Sequence, residues 1–130
     1  MAHFPHNVSD AALLSFVDGW VALMEREDYD SAYNYTEHSS EMMWTPELLR
    51  QVVKSYGHAH EDQRVTLLGK PTDITQRKEV ARWEPNSSNE IGEVWYDLNL
   101  DGFVSDLTAT FSVCDTPDGL IIRLNDIHVM

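Results

Sequence analysis

Cysteine is nearly absent from this chain: Cys114 stands alone among 130 residues. A lone thiol excludes an intramolecular disulfide and a four-thiolate zinc site, and it fits a reducing compartment. Its place at a strand end reads as a small hydrophobe rather than a catalytic thiol. Basic residues are scarce too, 9 Lys and Arg against 22 Asp and Glu, giving a net charge of −13. Such a surface repels phosphate backbones and anionic lipid, so neither nucleic acid nor a membrane is expected as a partner. It suits solubility or a basic protein partner. No apolar run approaches the roughly 18 residues of a membrane span. The first ten residues, MAHFPHNVSD, lack the basic region and apolar core of a signal peptide. A cytoplasmic location is therefore expected. Gly-rich phosphate loops, Walker motifs and nucleophile elbows are missing as well, and no cofactor is expected.

Hydrophobic residues at 42% and charged residues at 24% are the composition of a globular chain, read as a single domain over 1–130. The first half reads as helices. Ser9 is a helix N-cap with Asp10 in the first turn, and Val8 and Leu13 have the spacing of a hydrophobic staple. Leu13, Phe16, Val17, Trp20, Leu23 and Met24 recur with helical period to about Glu27. Asp30 is expected to cap a short second helix holding Ala32, Tyr33 and Tyr35, and His38–Met43 reads as loop. Thr45-Pro46-Glu47 is a cap, a first-turn proline and a first-turn acid, with Gly57 as the stop after Tyr56. His58-Ala59-His60 could offer two imidazoles to a transition metal, but no third ligand is evident nearby. A solvated loop and no metal site are expected there.

RVTLL (64–68) and KEVARW (78–83) read as strands, and two β-hairpins follow from Glu90. Val94, Tyr96, Leu98 and Leu100 alternate with polar neighbours up to Asp101-Gly102, the dipeptide that suits a type I′ turn. A simple two-residue turn would pair Leu100 with Phe103, Leu98 with Ser105, Tyr96 with Leu107 and Val94 with Ala109, all facing the helices. The opposite face would carry Trp95, Asp97 and Asn99 against Thr108, Asp106 and Val104, with Asp97 directly opposite Asp106. Trp95, Val104 and Thr108 on this face make it the expected surface of a homodimer. The second hairpin is expected to turn through Asp115–Asp118, with Leu120–Val129 as the last strand. Two phases are open for that strand. Unbroken alternation carries Asp126 and His128 inward beside Ser105. A β-bulge near Asn125 sends Ile127 and Val129 inward instead.

The helix FVDGWVALMEREDYDSAYNY, with its acidic-aromatic turn Glu27-Asp28-Tyr29-Asp30 feeding Ala32-Tyr33, then a further helix and a curved antiparallel sheet, resembles the cone-shaped nuclear transport factor 2-like superfold. That superfold includes polyketide cyclases and ketosteroid isomerases. The segments SDLTATF and LNDIHVM are similar to small uncharacterised bacterial proteins, which imply no activity. The resemblance implies an α+β fold, N-terminal helices packed on a curved antiparallel sheet, with a pocket between helices and concave face. In the unbroken register Tyr96, Asp126 and His128 form the polar end of that pocket, and Trp20, Tyr33 and Tyr56 supply apolar wall. Isomerase chemistry is disfavoured, because the inward positions of the first hairpin carry no acid. Three functions are open: a non-catalytic binding module for a small apolar ligand, an immunity- or antitoxin-like acidic protein neutralising a basic partner, and a small pocket enzyme using acid–base chemistry.

Overall fold

Ser9 starts the first helix as its spacing predicts. Its hydroxyl oxygen accepts from the Ala12 amide at 3.1 Å, and α1 runs Asp10–Glu25. The computed structural model describes residues 3–57, 60–71 and 76–129. His58, half of the expected imidazole pair, lies outside the described residues. Helix α2 (Tyr29–Tyr35) is capped by Asp28, whose Oδ1 accepts from the Ser31 amide at 3.2 Å. Asp30, the expected cap, sits instead in the first turn, where the helix dipole favours an acid. Helix α3 (Pro46–Lys54) starts as expected, the Thr45 hydroxyl accepting from the Leu48 amide at 3.0 Å. No described helix is long and apolar enough to cross a membrane.

The strands are β1 (Glu37–His38), β2 (Val65–Thr66), β3 (Lys78–Arg82), β4 (Glu90–Leu100), β5 (Phe103–Thr116) and β6 (Gly119–Val129). They form one curled sheet in the order β1-β6-β5-β4-β2, with β3 also paired to β4. Strand β1 falls where loop was expected and runs parallel to β6, Glu37 beside Arg123. The protein is thus α+β, three helices packed on a sheet curled into a half-barrel.

The first hairpin turns on Asp101 and Gly102, at φ 52° and 82°, the two positive angles a type I′ turn requires. Leu100 pairs with Phe103 as expected, and then the simple register fails. A bulge between Asp97 and Asn99 gives β5 two extra residues, so Tyr96 pairs with Ala109 rather than Leu107, and Val94 with Phe111. Because the slip is two residues, the helix-facing set keeps its face. The second hairpin is tighter than expected: Thr116 pairs with Gly119 around Pro117-Asp118. On β6 the bulge alternative holds. Leu124 pairs with Phe111 and Asp126 with Thr110, leaving Asn125 as the extra residue. Ile127 goes inward, Val129 at the strand end is 56% exposed rather than buried as expected, and Asp126 and His128 turn to the face away from α1.

Leu13, Val17, Trp20 and Met24 of α1 meet Tyr96, Leu98, Phe111, Ile122 and Leu124 of the sheet. Trp20 lies edge-on to Phe111, ring centroids 5.2 Å apart. These side chains are at most 1% exposed, so no water-sized void touches them.

Candidate functional site

The six residues expected to line one pocket do not come together. Trp20 is core, and Tyr96 is core with its hydroxyl at the edge, donating to the Asp18 carboxylate. Lys78 Nζ lies 3.6 Å from Asp18 and 4.9 Å from the Tyr96 ring, closing that end. Burial foremost, then the bond to Asp18, pushes the Tyr96 phenol far above its ordinary range, so it stays protonated. Tyr33 stacks on His38 at 4.0 Å. Tyr56 donates to Asp106 beyond the end of α3. Asp126 and His128 lie on the opposite side of the sheet, His128 Nδ1 3.1 Å from Asp126 Oδ2. Ser105, their expected companion, donates to the Leu98 carbonyl at 2.6 Å.

The outer face also differs from its expected form. The bulge pairs Asp97 with Thr108, whose hydroxyl donates to Asp97 Oδ1 at 2.8 Å. Asp97 therefore never opposes Asp106. Val104 does pair with Asn99 as expected; its amide also donates to the Lys70 carbonyl at 2.9 Å, and Asn99 is buried, donating to the Leu67 carbonyl at 3.2 Å. What remains is a face built on Thr108, Thr110 and Ser112 of β5. Trp95 lies beside them, with the Arg77 guanidinium 4.7 Å from its ring and His128 edge-on at 6.3 Å. The hydroxyl row is 0–5% exposed although it faces away from the helices; Asp97 sits against Thr108, and Glu90 and Arg123 close over Ser112.

One end of this face opens into a cleft of about 330 Å³ between β6 and the chain after β1. The bulge builds it. Asn125 and Asp126 are both presented there, and the freed Asn125 carbonyl accepts from Trp44 Nε1 at 3.1 Å, pinning the loop that carries Glu41 and Met42. Inside, Arg123 Nη2 donates to Glu90 Oε1 at 3.0 Å and to Ser112 Oγ at 3.2 Å. Asn125 Nδ2 donates to Ser112 Oγ at 2.6 Å, while its Oδ1 accepts from Arg123 Nε at 3.3 Å. None of Glu90, Ser112, Arg123 and Asn125 was a candidate from the sequence.

Burial first, then repulsion from Glu90, raises the Glu93 carboxyl above its ordinary value, with His128 opposing. A carboxyl raised on folding destabilises the native state once pH exceeds the unfolded value, because the unfolded chain then releases its proton more readily. Glu93→Gln should therefore raise the urea midpoint at pH 7. The gain should fade as pH falls through the ordinary glutamate range. A gain that grows toward acid pH would contradict this environment. At the strand end, burial chiefly raises the Cys114 thiol, keeping it neutral and poorly nucleophilic, as a packing residue. Among the described residues no group of three or more His, Cys, Asp or Glu is placed to hold a metal.

Fold and face together define an α+β protein with a sealed apolar core and a polar, net-acidic sheet surface. The chain belongs to the family of the domain of unknown function DUF7668, which it matches over residues 21–130. No curated protein and no solved structure gives a match.

Proposed function

We propose that this protein is a non-catalytic binding module that holds a basic partner protein against the outer face of its sheet. The observation that carries the reading is the excess of carboxylates around Trp95. Among the described residues, Glu79, Glu90, Glu93, Asp97 and Asp126 share the face with two permanent cations, Arg77 and Arg123, already engaged by Asp97 (3.8 Å) and Glu90 (3.0 Å). The chain's charge of −13 would steer a basic partner toward it. A small apolar ligand between helices and sheet is less well supported, because packed side chains fill that space. A second copy is also a poor occupant, since two such faces present like charges to each other. The reading places the protein in the cytoplasm, where the lone Cys114 would stay reduced. It treats the family as a branch of the nuclear transport factor 2-like superfold, supported by the order of helices and strands alone.

The test is fluorescence anisotropy with a labelled nona-arginine peptide at about 150 mM salt, where the screening length is about 8 Å. Trp95→Ala and Glu79→Gln should each weaken binding several-fold. The charge-matched control Glu47→Gln, at an exposed position of α3, should change it less than about twofold, within the small effect of one screened charge. Equal losses in face and control variants would reduce the attraction to net charge and overturn the reading. So would absence of binding, or a sedimentation-detected dimer that Trp95→Asp dissociates.

A further inference from the structure

We propose that the cleft beside β6 is an anchor pocket for one arginine side chain of that basic partner; the inference rests on the reading above and assigns its central contact. The walls already practise guanidinium chemistry. Arg123 is held there by Glu90, Ser112 and Asn125, at 3.0, 3.2 and 3.3 Å. Those three partners are thereby committed, and Thr110, Glu41 and Asp126 line the rest of the cleft.

Thr110 is 5% exposed on the cleft wall, yet its hydroxyl has as partner only the Asp126 carbonyl, at 3.5 Å, the outer limit of a hydrogen bond. A buried hydroxyl left this weakly paired is costly unless something fills the space before it. The Asp126 carboxylate lies 3.1 Å from His128 Nδ1, but that nitrogen makes no aligned hydrogen bond. Glu41 forms no ion pair among the described residues and lines the same opening. With Glu90 neutralised by Arg123, Glu41 and Asp126 leave the cleft net negative, which selects a cation.

The shape of the chemistry selects which cation. Met42, 38% exposed, offers an apolar, adaptable surface for a methylene stem, and Glu41, Asp126 and Thr110 line the same opening for a polar head. Arginine has both groups, and its planar fork can donate to a carboxylate and a hydroxyl together. A volume of about 330 Å³ admits one such side chain and not a folded element. The β6 bulge fits the same purpose, because it is what presents Asn125 and Asp126 together at one opening.

The test uses the whole protein, labelled with ¹⁵N, and the tripeptide acetyl-Ser-Arg-Ser-amide. Shift changes should centre on Thr110, Ser112 and Asp126. Asp126→Asn and Thr110→Val should each weaken binding at least fivefold. The citrulline tripeptide, isosteric but uncharged, should not bind, and the lysine tripeptide should bind several-fold more weakly. Thermal midpoints of both variants provide the folding control. Equal binding of the lysine and arginine tripeptides would overturn the guanidinium assignment. Shifts spread over the acidic surface, or binding indifferent to both variants, would overturn the pocket. The nona-arginine dependence on Trp95 and Glu79 would then still stand, whereas loss of that dependence would remove the reading beneath it.

Discussion

Replacing Trp20 with alanine should lower the unfolding free energy by about 3–5 kcal/mol, the usual cost of deleting a large buried aromatic. For a chain of this length that is a fall in thermal midpoint of roughly 10–20 °C. The size follows from position: Trp20 is fully buried at the centre of α1 and packs edge-on against Phe111 of β5. It therefore joins the two layers of the fold. Its indole nitrogen, however, has no hydrogen-bond partner. Trp20→Phe removes that orphan donor together with part of the ring, so the two effects oppose each other and the loss should stay below about 2 kcal/mol. Urea unfolding of the pair checks both statements. If Trp20 instead walled an open ligand pocket, alanine would be mild, costing no more than about 1 kcal/mol, because truncating a side chain beside a void creates little new cavity.

Trp20 also marks what the sequence made legible. The helical spacing of Leu13, Val17, Trp20 and Met24 identified the buried stripe, and the core residues of the sheet were read on their proper face. The role assigned to Trp20, wall of a pocket, does not match its place in the packed core. Periodicity reports which side of a helix is dry, and it is silent on whether the facing sheet leaves space. Caps and turns were visible where one side chain decides them, as at Ser9, Thr45 and Asp101-Gly102. Asp28 was missed because Asp30, two residues later, is an equally good capping residue in isolation.

The bulges separate two kinds of legibility. The one near Asp97 inserts two residues and preserves alternation, so Leu107 and Ala109 look equally good opposite Tyr96 from pattern alone. The one at Asn125 inserts a single residue and breaks alternation, which is why Asp126 and Ile127 could not both be placed without it. The cleft was hidden for a related reason. Thr108, Thr110 and Ser112 alternate with apolar neighbours as ordinary outward positions, and nothing local shows that Glu90, Arg123 and Asn125 converge on Ser112 from β4 and β6. The one available signal was three successive outward positions all carrying short hydroxyl side chains.

Ile127→Asp should be more damaging than truncating Trp20. Ile127 holds the inward position opposite Ala109, where it is 6% exposed. Losing its burial forfeits about 1.5–3 kcal/mol, and an unpaired carboxyl carried into the core adds several more, so a total of about 5 kcal/mol or more is expected. That approaches the whole stability of an ordinary domain of about 5–15 kcal/mol. The variant should lose near-ultraviolet circular dichroism and its cooperative urea transition. Deleting Asn125 is the discriminating partner. Without the extra residue Leu124, Asp126 and Ile127 alternate without a bulge and keep their present faces, so only the carbonyl that Trp44 holds and the side-chain bonds to Ser112 and Arg123 are lost. Its cost should stay at about 2–4 kcal/mol, the range for three partly exposed hydrogen bonds. If Ile127→Asp cost no more than about 1 kcal/mol, less than the transfer cost of one Ile side chain, Ile127 would not face the core. The alternation of Leu120, Ile122, Leu124 and Ile127 would then not be what fixes the sheet's last strand.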